Sequence, residues 1–229
     1  MIFRQLFEPV SSTYTYLLAC KETGQAALID PVLETVDRDL GLTLACTVET
    51  HIHADHVTGA GRLRALTGSK AGFPALSGAD FTDFTISEGS PIAVGALQVR
   101  PLYTPGHTDD HHSYVVESNG ATRVFTGDAL LIDGCGRTDF QGGNATTLYG
   151  SVHGKIFALG DEALVYPAHD YNHRQVSSVG QERARNPRLG GGKSVVEFVA
   201  IMAALNLPRP KKMDVAVPAN RACGEVQGA

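Results

Sequence analysis

Apolar and polar positions alternate with a short period through the first half of the chain. Tyr14 to Leu18, Gln25 to Asp30 and Ala45 to Glu49 are brief β-rich runs that predict strands, and Ile2 to Phe7 alternates as well. The third run leads directly into a histidine-rich segment. Gly61 to Leu66 predicts a short helix, and Ile92 to Val94, Leu97 to Leu102, Ser113 to Glu117 and Thr122 to Phe125 predict further strands. Between the last two lies Asn119-Gly120, a pair suited to the positive backbone angles of a tight hairpin. From Thr146 the period lengthens: Leu148, Val152, Ile156 and Leu159 recur as one face of a helix requires. Leu164 to Tyr166 predicts another strand. Gly190-Gly191-Gly192 forms a flexible joint, and Ser194 with Glu197 forms a capping box that opens a helix over Val195 to Leu205. Strands interleaved with helices, without an internal repeat, predict an α/β arrangement of layers.

Composition narrows the class. The chain has 229 residues, 43% of them hydrophobic, enough for one substantial core. A formal charge of −5, with no basic run longer than Lys211-Lys212, lacks the footprint expected for nucleic acid or an anionic membrane and favours a small-molecule substrate. Cys20, Cys46, Cys135 and Cys223 form no Cys-x-x-Cys pair and are spaced too widely for a small disulfide scaffold. They read as reduced thiols of a cytoplasmic protein. The N-terminal segment lacks the pattern of a signal peptide, and no apolar run is long enough to span a bilayer.

Chemistry concentrates at His51-Ile52-His53-Ala54-Asp55-His56. Side chains two apart at the end of a strand point to the same side, and a tight turn returns the next two toward them. Four ligand-type residues thus converge in one loop. Imidazole and carboxylate suit zinc, iron or manganese, and the lack of cysteine disfavours a soft-metal site. Three later strand ends each add a ligand: His107 in Thr104-Pro105-Gly106-His107-Thr108, Asp128 in Phe125-Thr126-Gly127-Asp128, and His169 in Tyr166-Pro167-Ala168-His169-Asp170. Taken singly, each fits an ordinary role such as a capped turn or a hydrogen-bonded buried histidine. Their joint occurrence in this order points to a metal.

That order resembles the metallo-β-lactamase superfamily, in which His-x-His-x-Asp-His is followed by a histidine, a bridging aspartate and a last histidine. The resemblance implies a four-layer αββα sandwich, here one domain over 1–229 with 190–229 as a C-terminal helical segment and tail. It also implies one metal position faced by His51, His53, His107 and Asp128 and another faced by Asp55, His56, Asp128 and His169.

Within the superfamily, the segments Glu49 to Gly59, Phe125 to Ile132, Gly134 to Gln141, Tyr166 to Tyr171 and Val217 to Asn220 are similar to the persulfide dioxygenases related to the ethylmalonic encephalopathy protein. This resemblance covers nearly the whole chain. It implies a single Fe(II) held by His51, His107 and Asp128, a facial set that leaves sites for oxygen and a substrate sulfur. His53, Asp55, His56 and His169 would then orient ligands, bind water or handle protons, and no residue would act as nucleophile. The implied reaction is oxidation of glutathione persulfide by O2 and water to sulfite and glutathione, in a homodimer.

Arg137 and Tyr171 correspond to residues that contact glutathione in the related glyoxalase II hydrolases, and an arginine can bind a glutathione carboxylate bidentately. Their ordinary alternatives are a salt bridge and core packing. Cys135 reads as a small packed residue. The chain departs from the family at Asp109-Asp110-His111-His112, where small or apolar residues are usual. His111 and His112 are read as structural or rim residues, as are His153 and His173. The main rival is a dinuclear-metal glutathione thioester hydrolase, whose ligands are all present. Against it, the chain beyond His169 is shorter than the helical glutathione-binding domain of those enzymes requires. A non-catalytic module that kept the fold is a third reading, disfavoured because no ligand has been lost.

Overall fold

The computed structural model describes residues 1–36, 43–171 and 174–225; His173 and the tail 226–229 lie outside them. Two six-stranded mixed sheets face each other. The first runs in sequence order through β1 (Ile2–Glu8), β2 (Thr13–Ala19), β3 (Gln25–Ile29), β4 (Thr43–Val48), β5 (Lys70–Pro74) and β6 (Phe84–Ile86). β1 to β3 pair antiparallel, and β3 to β6 pair parallel. The second sheet contains β7 (Ile92–Val94), β8 (Leu97–Tyr103), β9 (His112–Ser118), β10 (Ala121–Gly127), β11 (Leu164–Pro167) and β12 (Ser177–Ser178), again in sequence order. Here only β10 and β11 pair parallel.

β2 shows how alternation builds the layers. Tyr14, Tyr16 and Leu18 enter the core between the sheets, where they join Phe125 and Tyr166, whereas Leu17 and Ala19 pack on the opposite face with Leu28, Leu44 and Leu63. Leu63 belongs to α1 (Ala60–Thr67), the helix that covers this outer face. The outer face of the second sheet is covered by α2 (Ala145–Ser151), α3 (Val179–Arg185) and α4 (Val195–Ala203), through Leu148, Val179, Phe198 and Met202. The result is the predicted αββα order.

Local signals match the structure closely in several places. Asn119 and Gly120 take φ of 54° and 72° and close the β9–β10 hairpin, with Ser118 paired to Ala121. The capping box on α4 forms in both directions between Ser194 and Glu197. The helix predicted from Thr146 is not uniform: after α2 it widens into a π-helical turn over Val152–Ile156 and tightens into a 3-10 turn over Phe157–Leu159. Leu148, Val152 and Ile156 nevertheless share one buried face. A last helix, α5 (Met213–Arg221), falls within the C-terminal segment 190–229 and carries Pro218 inside it. Among the described residues, no helix is long and apolar enough to cross a membrane.

All the candidate ligands lie just beyond the carboxyl ends of strands. His51 to His56 follow β4, His107 follows β8, Asp128 follows β10 and His169 follows β11. Bonds between the sheets hold these ends together: the His112 amide donates to the Thr50 carbonyl at 2.7 Å, and the Tyr14 amide donates to the Ala168 carbonyl at 2.8 Å.

Candidate metal centre

Three strand ends bring His51, His107 and Asp128 together, with one ligand-type atom of each lying within 4.8 Å of the others. His107 Nε2 is 3.3 Å from Asp128 Oδ2, and the His51 and His107 rings meet edge to face at 4.8 Å. Both rings are oriented from behind. The His107 Nδ1–H donates to the Arg137 carbonyl at 2.7 Å. The Thr50 hydroxyl donates to Asp30 at 2.9 Å, which leaves its oxygen to accept from His51 Nδ1–H at 3.0 Å. Each imidazole therefore turns an Nε2 lone pair toward the site, as a metal ligand must. Burial, reinforced by the surrounding histidines, holds His51 well below the usual imidazole range, which keeps that lone pair free.

The other ligand-type residues form two adjoining groups, His53 with Asp55 and His56, and His53 with Asp30 and Glu49. His53 Nε2 faces Asp30 at 3.1 Å and Glu49 at 3.5 Å. Burial opposes charge on His53, but the carboxylates overcome it and raise the group well above the usual range. His169 donates from Nδ1 to the Ser12 carbonyl, and its Nε2 lies 3.5 Å from Asp128 Oδ1 and 3.6 Å from Asp55 Oδ2. Here too burial acts downward and is outweighed by Asp128 and Asp55, so the pKa is raised. His56 Nε2 and Asp128 Oδ1 are buried without a hydrogen-bond partner among the described residues. Such orphaned acceptors normally cost stability, and a cation would satisfy them.

The site opens into a cavity of about 570 Å³, large enough for a tripeptide-sized ligand. Its walls include Leu131, Leu207 and Pro208, with Arg137, Tyr171 and Arg188 among the polar residues. Tyr171 is 67% exposed and its ring stacks parallel to His169, which excludes the core-packing alternative. The Arg137 fork is engaged by Asp139 at 2.7 and 2.8 Å and by the Pro208 carbonyl at 2.7 Å, so the salt-bridge alternative is present. Cys135 is buried with its Sγ 3.7 Å from Met202 Sδ, and burial pushes its thiol up to about 11.

The metallo-beta-lactamase superfamily model matches residues 9–169. The human persulfide dioxygenase ETHE1 is 52% identical over 98% of this chain and 89% of its own. The chain belongs to the persulfide dioxygenase family of that superfamily. The crystal structure of ETHE1 from Myxococcus xanthus is 54% identical and superposes with a TM-score of 0.93, covering 98% of this chain and all of that one. A hydroxyacylglutathione hydrolase of Rhodospirillum rubrum is more distant, 35% identical over 73% of this chain and 66% of its own.

Several site residues escaped sequence reasoning. Asp30, at the end of β3 with φ of 50°, also accepts the Thr50 amide at 2.7 Å, and only its place at a strand end before a proline hinted at a role. Asn220 of α5 donates to the carbonyls of His53 and His56, both at 2.9 Å, and so pins the histidine loop. Arg188 gives Nη1 to the Cys135 carbonyl at 2.7 Å while lining the cavity, and nothing in its local sequence marks it. His111 and His112 are both buried, so neither belongs to the rim. His153 stacks on Tyr149 and bonds to the Leu189 carbonyl, a structural placement.

Proposed function

We propose that this chain is a persulfide dioxygenase that converts glutathione persulfide, O2 and water to glutathione and sulfite, using one Fe(II) held by His51, His107 and Asp128. The supporting observation is that tightly gathered donor set, in a chain so similar to the ETHE1 persulfide dioxygenases. The donors fit the ion: two imidazoles with Nε2 turned inward and one carboxylate suit ferrous iron better than a soft metal. When bound, Fe(II) supplies open coordination positions and the redox capacity that the reaction requires.

The protein's own groups prepare the site. His169 holds a proton at Nε2 between Asp55 and Asp128, within reach of the cavity. The Tyr171 ring forms part of the wall, and Arg137 and Arg188 are the cavity cations that would meet the glutathione carboxylates. Leu131, Leu207 and Pro208 supply the apolar part of the cavity wall. Cys135, protonated and packed against Met202, takes no nucleophilic part.

A second reading, a dinuclear thioester hydrolase, draws on the closeness of His169 to Asp55 and Asp128 and on the unpartnered His56 Nε2. Metal stoichiometry separates the two readings: one iron per chain against two ions. The decisive assay is anaerobic Fe(II) reconstitution followed by oxygen uptake with glutathione persulfide. Iron-loaded protein that consumes no oxygen refutes the dioxygenase. The proposal extends to the cytoplasm, whose reducing pool would keep the four unpaired cysteines as thiols, and to a homodimer; fractionation and light scattering test these.

A further inference from the structure

His111 touches both neighbouring candidate ligands without belonging to the donor set. Its Nε2 lies 3.1 Å from the Asp128 amide, and its ring lies over that of His51 with centroids 5.1 Å apart. A backbone amide only donates, so Nε2 carries no proton and the ring is neutral with its hydrogen on Nδ1. That hydrogen points to Thr104 Oγ1 at 3.0 Å, which in turn lies 2.9 Å from Ser113 Oγ. Ser113 Oγ donates to the Thr126 carbonyl at 3.4 Å.

The direction of every bond in this chain is fixed by its ends. The carbonyl of Thr126 only accepts and the amide of Asp128 only donates, so the hydrogens run in one sense: Asp128 amide to His111, His111 to Thr104, Thr104 to Ser113, Ser113 to Thr126. Both ends lie on the same short segment, Thr126 to Asp128, whose middle residue is Gly127 at φ of 52°. The loop thus closes on the turn that presents the Asp128 carboxylate. A side chain at Gly127 is excluded because a Cβ there would lie 2.5 Å from His111 Nε2 and 2.9 Å from Thr50 Cβ.

We propose that His111, as the neutral Nδ1–H tautomer, is a positioning residue that fixes the Asp128 backbone and backs the His51 ring, setting the spacing of the metal ligands. The proposal rests on the assignment of His51 and Asp128 as ligands. Arginine, lysine or a protonated imidazole at this place has no acceptor for the Asp128 amide, whereas a glutamine amide oxygen reproduces Nε2.

The test uses the full chain. In metal-free wild type, long-range 1H–15N spectra should show His111 protonated on Nδ1 and bare on Nε2. His111→Leu should weaken Fe(II) binding about 10- to 100-fold in competition with a chelator of known affinity, and His111→Gln should restore it to within about 3-fold of wild type. Equal Fe(II) affinity in wild type and His111→Leu, equal loss in the Leu and Gln variants at matched thermal midpoints, or a proton on Nε2 overturns the proposal. Should His111→Leu fail to fold, Thr104→Val decides: it removes the Nδ1 acceptor at nearly constant volume, and weaker Fe(II) binding is expected, with unchanged binding counting against the proposal. Oxygen uptake by the wild type is read separately, so failure as a dioxygenase is distinguishable from failure of the His111 assignment.

Discussion

Asp30 holds Thr50 twice, accepting its amide on Oδ1 at 2.7 Å and its hydroxyl on Oδ2 at 2.9 Å. This double bond-pair settles the direction of the hydroxyl and makes its oxygen the acceptor for His51 Nδ1–H. Thr50→Val keeps the shape and removes the acceptor. Iron affinity should fall about 10- to 100-fold, as it does when groups that orient a ligand are lost, with the fold retained. Chelator competition and circular dichroism on the same samples check this.

The donor geometry separates ligands from neighbours. His51→Ala, His107→Ala and Asp128→Ala should each abolish stoichiometric iron, whereas His169→Ala should retain about one iron per chain. The latter should lose activity by about 100-fold, the low end for a positioned proton donor or acceptor. Iron content measured beside oxygen uptake tests the distinction, and loss of iron in His169→Ala would favour the dinuclear reading.

The proposed glutathione site draws on charges held in different ways. Arg137 is clamped by Asp139 and the Pro208 carbonyl, whereas Arg188 commits Nη1 to Cys135 and faces the same cavity. Arg188→Ala should raise KM for glutathione persulfide and lower kcat/KM about 10- to 100-fold, the scale of one charged hydrogen bond, with little change in kcat. Arg137→Ala should also release the 207–208 wall and affect both constants. Steady-state kinetics with glutathione persulfide and with a persulfide lacking the carboxylates resolve the two effects.

How much could be read in advance depended on the kind of signal. The ligands were legible because the chemistry needs particular residue types at strand ends, and α/β layering followed from periods of two and near four. β5 and β6 were not legible, since Lys70 to Pro74 mixes Gly72 and Pro74 into a parallel strand that does not alternate. Asp30, Asn220 and Arg188 reach the site only through tertiary packing; the Val217 to Asn220 segment marked the family but not the role of Asn220, and nothing local marks Arg188. The buried loop through His111 was equally hidden: the sequence left His111 and His112 as structural or rim residues, whereas His112 at the start of β9 and His111 just before it are both buried.

The buried histidines also set a pH dependence for the metal-free protein. Burial holds His51 and His111 well below the ordinary imidazole value and lowers His112 as well. Below about pH 6.5 the unfolded chain protonates these rings while the folded one does not, so stability falls on acidification by about 1.4 kcal/mol per pH unit for each such proton. His53 and His169 act oppositely, because their carboxylate neighbours raise them. Their contribution is fully present below about pH 6.5, where both states hold the proton, and is lost as pH rises through the folded value. They therefore leave the acid slope unchanged and erode stability on the alkaline side. Urea unfolding of metal-free protein should show a maximum near neutrality, with a shallower acid limb in His111→Gln, which removes one of the reluctant rings. An acid limb that rises instead of falling would mean that the imidazoles are charged in the folded state, contrary to the hydrogen bonds that His51 and His111 make.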